Sequence, residues 1–94
     1  MQENLIDTRA LSKLRWRCRR GLLENDLFIA RFFERFEDVL TTRQGEALSE
    51  LMELSDNDLL DLHLARKSLD EVSPEMDREE VREVLSMLRK TVER

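Results

Sequence analysis

A chain of 94 residues, 40% of them hydrophobic and 39% charged, has room for one modest core, because a domain this small buries only about 60–65% of its unfolded surface. The net charge of −5 opposes phosphate at long range and argues against a general nucleic-acid binder. One Cys excludes an internal disulfide and a Cys-based zinc cage, and no apolar run approaches the roughly 18 residues of a membrane span.

A lone Cys fits a reducing compartment. Met1 to Asp7 lacks the basic-then-apolar order of a secretion signal, and Glu3 and Asp7 stand where a mitochondrial presequence avoids acids. The expected location is the bacterial cytoplasm, with no membrane insertion. Two Gly, one Pro and no Tyr leave little material for turns or strands, whereas Leu, Glu, Arg, Met and Ala favour helices. Charge is unevenly placed. Residues 9–20 hold six bases (Arg9, Lys13, Arg15, Arg17, Arg19, Arg20) and no acid, which leaves −11 on the remainder. Two explanations stay open: a polarised binding surface, or a basic helix packed beside acidic ones.

The first helix is predicted over Thr8–Arg19. Leu11, Leu14 and Cys18 form its inner stripe, Asp7 or Thr8 caps it, and Gly21 ends it in a left-handed conformation. The second runs over Leu23–Val39 with Glu24 and Asp26 in its first turn. Phe28, Phe32 and Phe36 share one face, which Ile29, Phe33 and Leu40 widen. That face is predicted to be core rather than a ligand box. The third helix spans Thr42–Leu54 with Leu48, Leu51 and Met52 inward, slightly weakened by Gly45. Ser55 and Asp58 resemble a capping box and open a fourth over Asp56–Arg66, with Leu59, Leu62 and His63 inward. Residues 67–76 read as a connection. The fifth helix, Asp77–Val92, turns Val81, Val84, Leu85, Leu88 and Val92 to one side. The expected fold is all-α, a compact five-helix bundle with residues 1–94 in a single domain.

Catalytic chemistry has little material here. One His and one Cys far apart supply neither a metal cluster nor a nucleophile–base pair. Cys18 lies near arginines that lower a thiol pKa, but its register places it inside. The unusual stretch is Trp16-Arg17-Cys18-Arg19-Arg20-Gly21-Leu22-Leu23-Glu24-Asn25-Asp26. A basic helix end, a Gly cap and an acidic helix start explain much of it, yet leave the Trp unexplained. Trp and Arg are the residue types that most often anchor protein interfaces.

This stretch resembles the SdhE (YgfY) family, also called succinate dehydrogenase assembly factor 2. The family signature Arg-Gly-x-x-Glu stands here as Arg20-Gly21-Leu22-Leu23-Glu24, with Trp16, Cys18, Arg19 and Asp26 around it and Phe32-Phe33-Glu34 after it. A second block, Leu51 to Leu59, also matches, and the resemblance spans about residues 9–92. Two departures stand out. Leu62-His63-Leu64-Ala65 replaces a segment that usually contains Trp, and the connection at 67–76 is longer than usual.

The resemblance implies a helper without catalytic groups. It would bind the flavoprotein subunit of succinate dehydrogenase, with that of fumarate reductase as a second candidate, and promote covalent attachment of FAD to a His of that partner. No cofactor would be held stably by the chain itself. Arg20 and Glu24 would be polar anchors, Gly21 would allow close backbone approach, and Trp16, Arg17, Arg19 and Asp26 would surround them. An antitoxin-like inhibitor or regulatory adaptor is the alternative, and a nucleic-acid-binding helix over Arg15–Arg20 a third reading.

Overall fold

In a computed structural model, described here for residues 4–19, 21 and 23–90, the chain folds into six α-helices: α1 Thr8–Arg17, α2 Leu23–Phe36, α3 Thr42–Leu51, α4 Asp56–His63, α5 Leu69–Val72 and α6 Glu79–Lys90. A 3-10 turn, Pro74–Met76, separates the last two. The all-α expectation holds. The described residues contain no strand, only an isolated antiparallel bridge between Leu5 and Thr41.

Local signals fix most helix starts. The Asp7 carboxylate accepts from the Ala10 N–H at 2.7 Å, and Ser55 Oγ accepts from the Asp58 N–H at 3.2 Å. A reciprocal capping box unforeseen in the sequence opens α3: Thr41 Oγ1 accepts from the Gln44 N–H, and Gln44 Oε1 accepts from the Thr41 N–H. The ends of the first four helices fall two or three residues short of the sequence expectation, because final turns tighten into three-residue hydrogen bonds. Arg19 N–H donates to Trp16 O, so α1 closes at Arg17 rather than Arg19. Val39 N–H donates to Phe36 O, closing α2. Ala65, with φ of 57°, stops α4 soon after His63.

The expected connection at 67–76 is itself structured. Glu71 accepts from the Ser68 N–H at 3.0 Å, and α5 buries Leu69. That raises five helices to six. Val92, expected on the inner face of the last helix, lies outside the described residues.

The core draws on every helix. Phe32, Leu40, Leu48, Leu51, Leu59, Leu62, Val81, Val84 and Leu88 are essentially inaccessible. Phe36 is only half-buried, contrary to the reading of the Phe stripe: it closes the last turn of α2, where the Arg35 guanidinium lies 5.6 Å over its ring. Gly45 does more than weaken α3. Ile6 Cδ1 sits 2.8 Å from where a Cβ would stand, so the missing side chain lets the N-terminal segment lie against the helix.

Two buried polar groups mark the seam between α2 and α4. Asn25 is fully buried, and its Nδ2 donates to the Asp56 carbonyl at 3.1 Å. His63 is buried, stacks on Phe28 with 4.5 Å between ring centroids, and has no hydrogen-bond partner on either ring nitrogen. Burial, aided by the nearby Arg89 charge, lowers its pKa from 6.5 to about 4. The folded state therefore holds His63 neutral while the unfolded chain takes up a proton below pH 6.5, so stability falls as pH drops from 6.5 towards 4. By pH 5 the loss is about 2 kcal/mol, or roughly 10 °C in melting temperature for a domain of this size. Melting curves at pH 7 and pH 5 should show that drop in the parent and only a small one in His63→Leu. Equal drops in both would remove His63 as the cause.

Candidate functional site

Helix α1 is held by its inner stripe, Leu14 and Cys18. A helix advances about 100° per residue, so Trp16, two positions from each, is turned away from the core. Its indole is 72% exposed. The Arg19 guanidinium lies over it, 5.2 Å from the ring centroid, an exposed cation–π contact that contributes about 0.5–1 kcal/mol and favours one indole orientation.

Trp16 and Arg19 line one wall of an open groove of about 680 Å³ between α1 and α2. The facing wall comes from Asp26, Ala30 and Glu34, spaced by four along α2, with Ile29 and Phe33 also contributing to the lining. Arg15 holds α1 to α2: its guanidinium lies 5.4 Å over the Phe33 ring and pairs with the Glu37 carboxylate. Leu23 and Leu27 are also exposed on α2, at 68% and 46%.

The residues singled out in the sequence divide into three groups. Trp16, Arg19 and Asp26 come together on the groove. Arg17 and Glu24 are exposed on their helices but do not line it. Gly21 is exposed between the two helices with φ of +89°, the left-handed region, although not directly at the end of α1 as expected. A Cβ there would meet no atom within 4 Å, so the constraint is conformational rather than steric. Arg20 lies outside the described residues. Ala30 was not anticipated, and Arg15 and Glu34 were named only among the bases of the first helix and as part of the Phe32-Phe33-Glu34 match. The four-residue spacing of Asp26, Ala30 and Glu34 was the available signal, but it does not say which neighbouring helix that face meets.

An aromatic face, guanidinium groups and carboxylates on an open groove are suited to recognising another surface. The Cys18 side chain is buried. Among the described residues no group of three or more His, Cys, Asp or Glu side chains is disposed to hold a metal ion, and no helix is long and apolar enough to cross a membrane.

A family model described as flavinator of succinate dehydrogenase matches residues 12–92. The chain belongs to this family. It is 52% identical over 83 residues to the FAD assembly factor SdhE of Ralstonia nicotianae, an alignment covering 88% of this chain and 84% of the relative. Proteins of the same name from Coxiella burnetii and Legionella pneumophila are 40% identical over 52 residues and 41% identical over 54 residues. These alignments span 55% and 57% of this chain and 63% and 68% of the relatives. No solved structure matches the chain. The matched residues 12–92 include α1 from Ser12 onward and all of α2.

The positive φ at Gly21 and the exposure of Trp16 lead to effects of different size on folding. Gly21→Ala should lower stability by about 1 kcal/mol through backbone strain, whereas Trp16→Ala should stay within about 0.5 kcal/mol of the parent. Chemical denaturation of both variants checks this, and a Trp16→Ala loss larger than that of Gly21→Ala would mean that the indole helps hold the fold.

Proposed function

We propose that the chain binds the flavoprotein subunit of succinate dehydrogenase and promotes covalent attachment of FAD to it, with the fumarate reductase flavoprotein as a second target. In this reading Trp16, Arg17, Arg19, Arg20, Gly21, Glu24 and Asp26 form the contact surface. The observation that carries it is the exposed Trp16, held by Arg19 at the rim of the α1–α2 groove within the region matched by the family model. The names of the relatives, FAD assembly factors, support the same activity.

The chain acts as a binding protein in the cytoplasm, with no turnover of its own and no stably held FAD. Its contribution is positional. Aligned reactants can lower a barrier by several kcal/mol, and a helper achieves this by binding the aligned conformation of its partner more tightly than the others. Exposed charges such as Glu24 contribute little to folding, about 0–1 kcal/mol, yet a charge desolvated in an interface can cost ~2–5 kcal/mol when its partner is lost.

The test is in-gel flavin fluorescence of the denatured flavoprotein subunit. Cells lacking the chain should show weak fluorescence, restored by the parent. A Trp16→Ala, Glu24→Ala double variant should be folded, by its helical circular dichroism spectrum, yet restore little. Full fluorescence in cells lacking the chain would overturn the function, and full restoration by the double variant would overturn the surface.

A further inference from the structure

The outer face of α1 is left unexplained by the groove. Arg9, Lys13 and Arg17 recur every four residues, and an advance of about 100° per residue gathers them within an arc of about 80°, running some 12 Å along the helix. All three are exposed, and none of them pairs with an acid among the described residues. Arg15, on another face, is paired with Glu37. The strip ends beside Trp16 and Arg19, at the end of α1 that leads into Gly21 and Glu24.

The surrounding charge gives the strip its significance. The chain as a whole carries −5, and the sequence outside residues 9–20 carries −11. A protein with that balance is repelled at long range by an acidic partner in most orientations, and attracted only when α1 faces it. Left unpaired, the three bases keep their attraction for an outside partner rather than spending it on neighbouring helices. Charges arranged in this way orient an encounter and raise its rate more than they lengthen its lifetime.

Resting on the flavoprotein reading above, we propose that Arg9, Lys13 and Arg17 form an encounter strip. It recognises an acidic surface of the flavoprotein subunit and delivers the Trp16–Asp26 region to its contact. Arg9 and Lys13 set the association rate, Arg17 belongs to both the strip and the contact, and the groove and motif residues set the dissociation rate. Nucleic-acid phosphate, the other polyanion that a basic helix could meet, carries one charge about every 1.7 Å along the whole length of a duplex, so the acidic remainder of the molecule opposes it more than it opposes a single acidic patch.

Stopped-flow association of the full chain with the purified flavoprotein subunit, over a series of salt concentrations, tests this. The parent rate should fall steeply as salt rises. Arg9→Glu, Lys13→Glu in combination, which spares the contact residue Arg17, should associate about tenfold more slowly at low salt, with an almost unchanged dissociation rate and a weak or inverted salt dependence. Glu24→Ala should do the reverse, dissociating faster with an association rate near that of the parent. Loss of binding by the parent itself would overturn the flavoprotein reading. Parent-like association by the charge-reversed variant, while Glu24→Ala still weakens the complex, would overturn the strip alone. Because charge reversal at exposed helix positions can affect folding, Arg9→Gln, Lys13→Gln serves as a second variant, with an intermediate slowing expected. Salt-dependent binding of the parent to a fluorescent DNA duplex, lost in either variant, would reassign the strip to phosphate and overturn the proposal.

Discussion

Burial of one face of α2 is the constraint from which the rest of the molecule follows. Phe28, Ile29, Phe32 and Phe33 are buried, and large aromatic and aliphatic side chains of this kind contribute about 1.5–3 kcal/mol each when removed from water. With that face committed inward, Asp26, Ala30 and Glu34 line the groove facing α1, while Leu23 and Leu27 remain outside. Helix α1 is oriented in the same way. Leu14 and Cys18 enter the core, and Trp16, two residues from each, is left in solvent. The groove is therefore a consequence of how two amphipathic helices divide their faces. It needs no loop of its own to hold it open.

The other side of α2 has different chemistry. Where it meets α4, Asn25 and His63 place polar atoms in the core, and Asn25 Oδ1 and both His63 ring nitrogens lack hydrogen-bond partners. Such groups weaken a core compared with apolar residues of the same shape. Helix α6 reinforces the arrangement from outside: Arg89 Nε donates to the Leu62 carbonyl at 2.9 Å, and Arg35 of α2 donates to the Lys90 carbonyl at 3.1 Å. Around α3 and α6, Arg78 pairs with both Glu80 and Glu50, and Arg43 reaches Glu80 at 3.1 Å. The hydrogen bond from Arg78 is the main reason the Glu80 carboxyl is lowered to about 2. These contacts lie at helix edges, away from the α1–α2 groove.

Periodicity made much of this legible in the sequence. The inward Cys18, the core positions of α6 and the exposed Trp16 all follow from 3.6-residue spacing. Properties that depend on tertiary neighbours were harder to read. Phe36 has the right spacing for the core, but α2 ends on it and leaves it half covered. Leu69 stands in a polar stretch that reads as a connection, yet a one-turn helix capped by Ser68 and Glu71 carries it into the core. Gly45 looks like a weak point of a helix until Ile6, thirty-nine positions earlier, is found lying against it. At the candidate site the individual side chains were recognisable, but their pairing across two helices was not. Arg15, Ala30 and Glu34 gain meaning only once α1 is laid beside α2.

The central claim is that the α1–α2 end of the molecule meets the flavoprotein. Hydrogen–deuterium exchange of the free chain and of its complex with the flavoprotein subunit tests this most directly, because it reports where backbone amides become protected without any substitution. The account predicts new protection over the end of α1 and the first turns of α2, about residues 15–28, with α5 and the start of α6 unchanged. Protection confined to residues 67–80, with residues 15–28 exchanging as in the free chain, would contradict it.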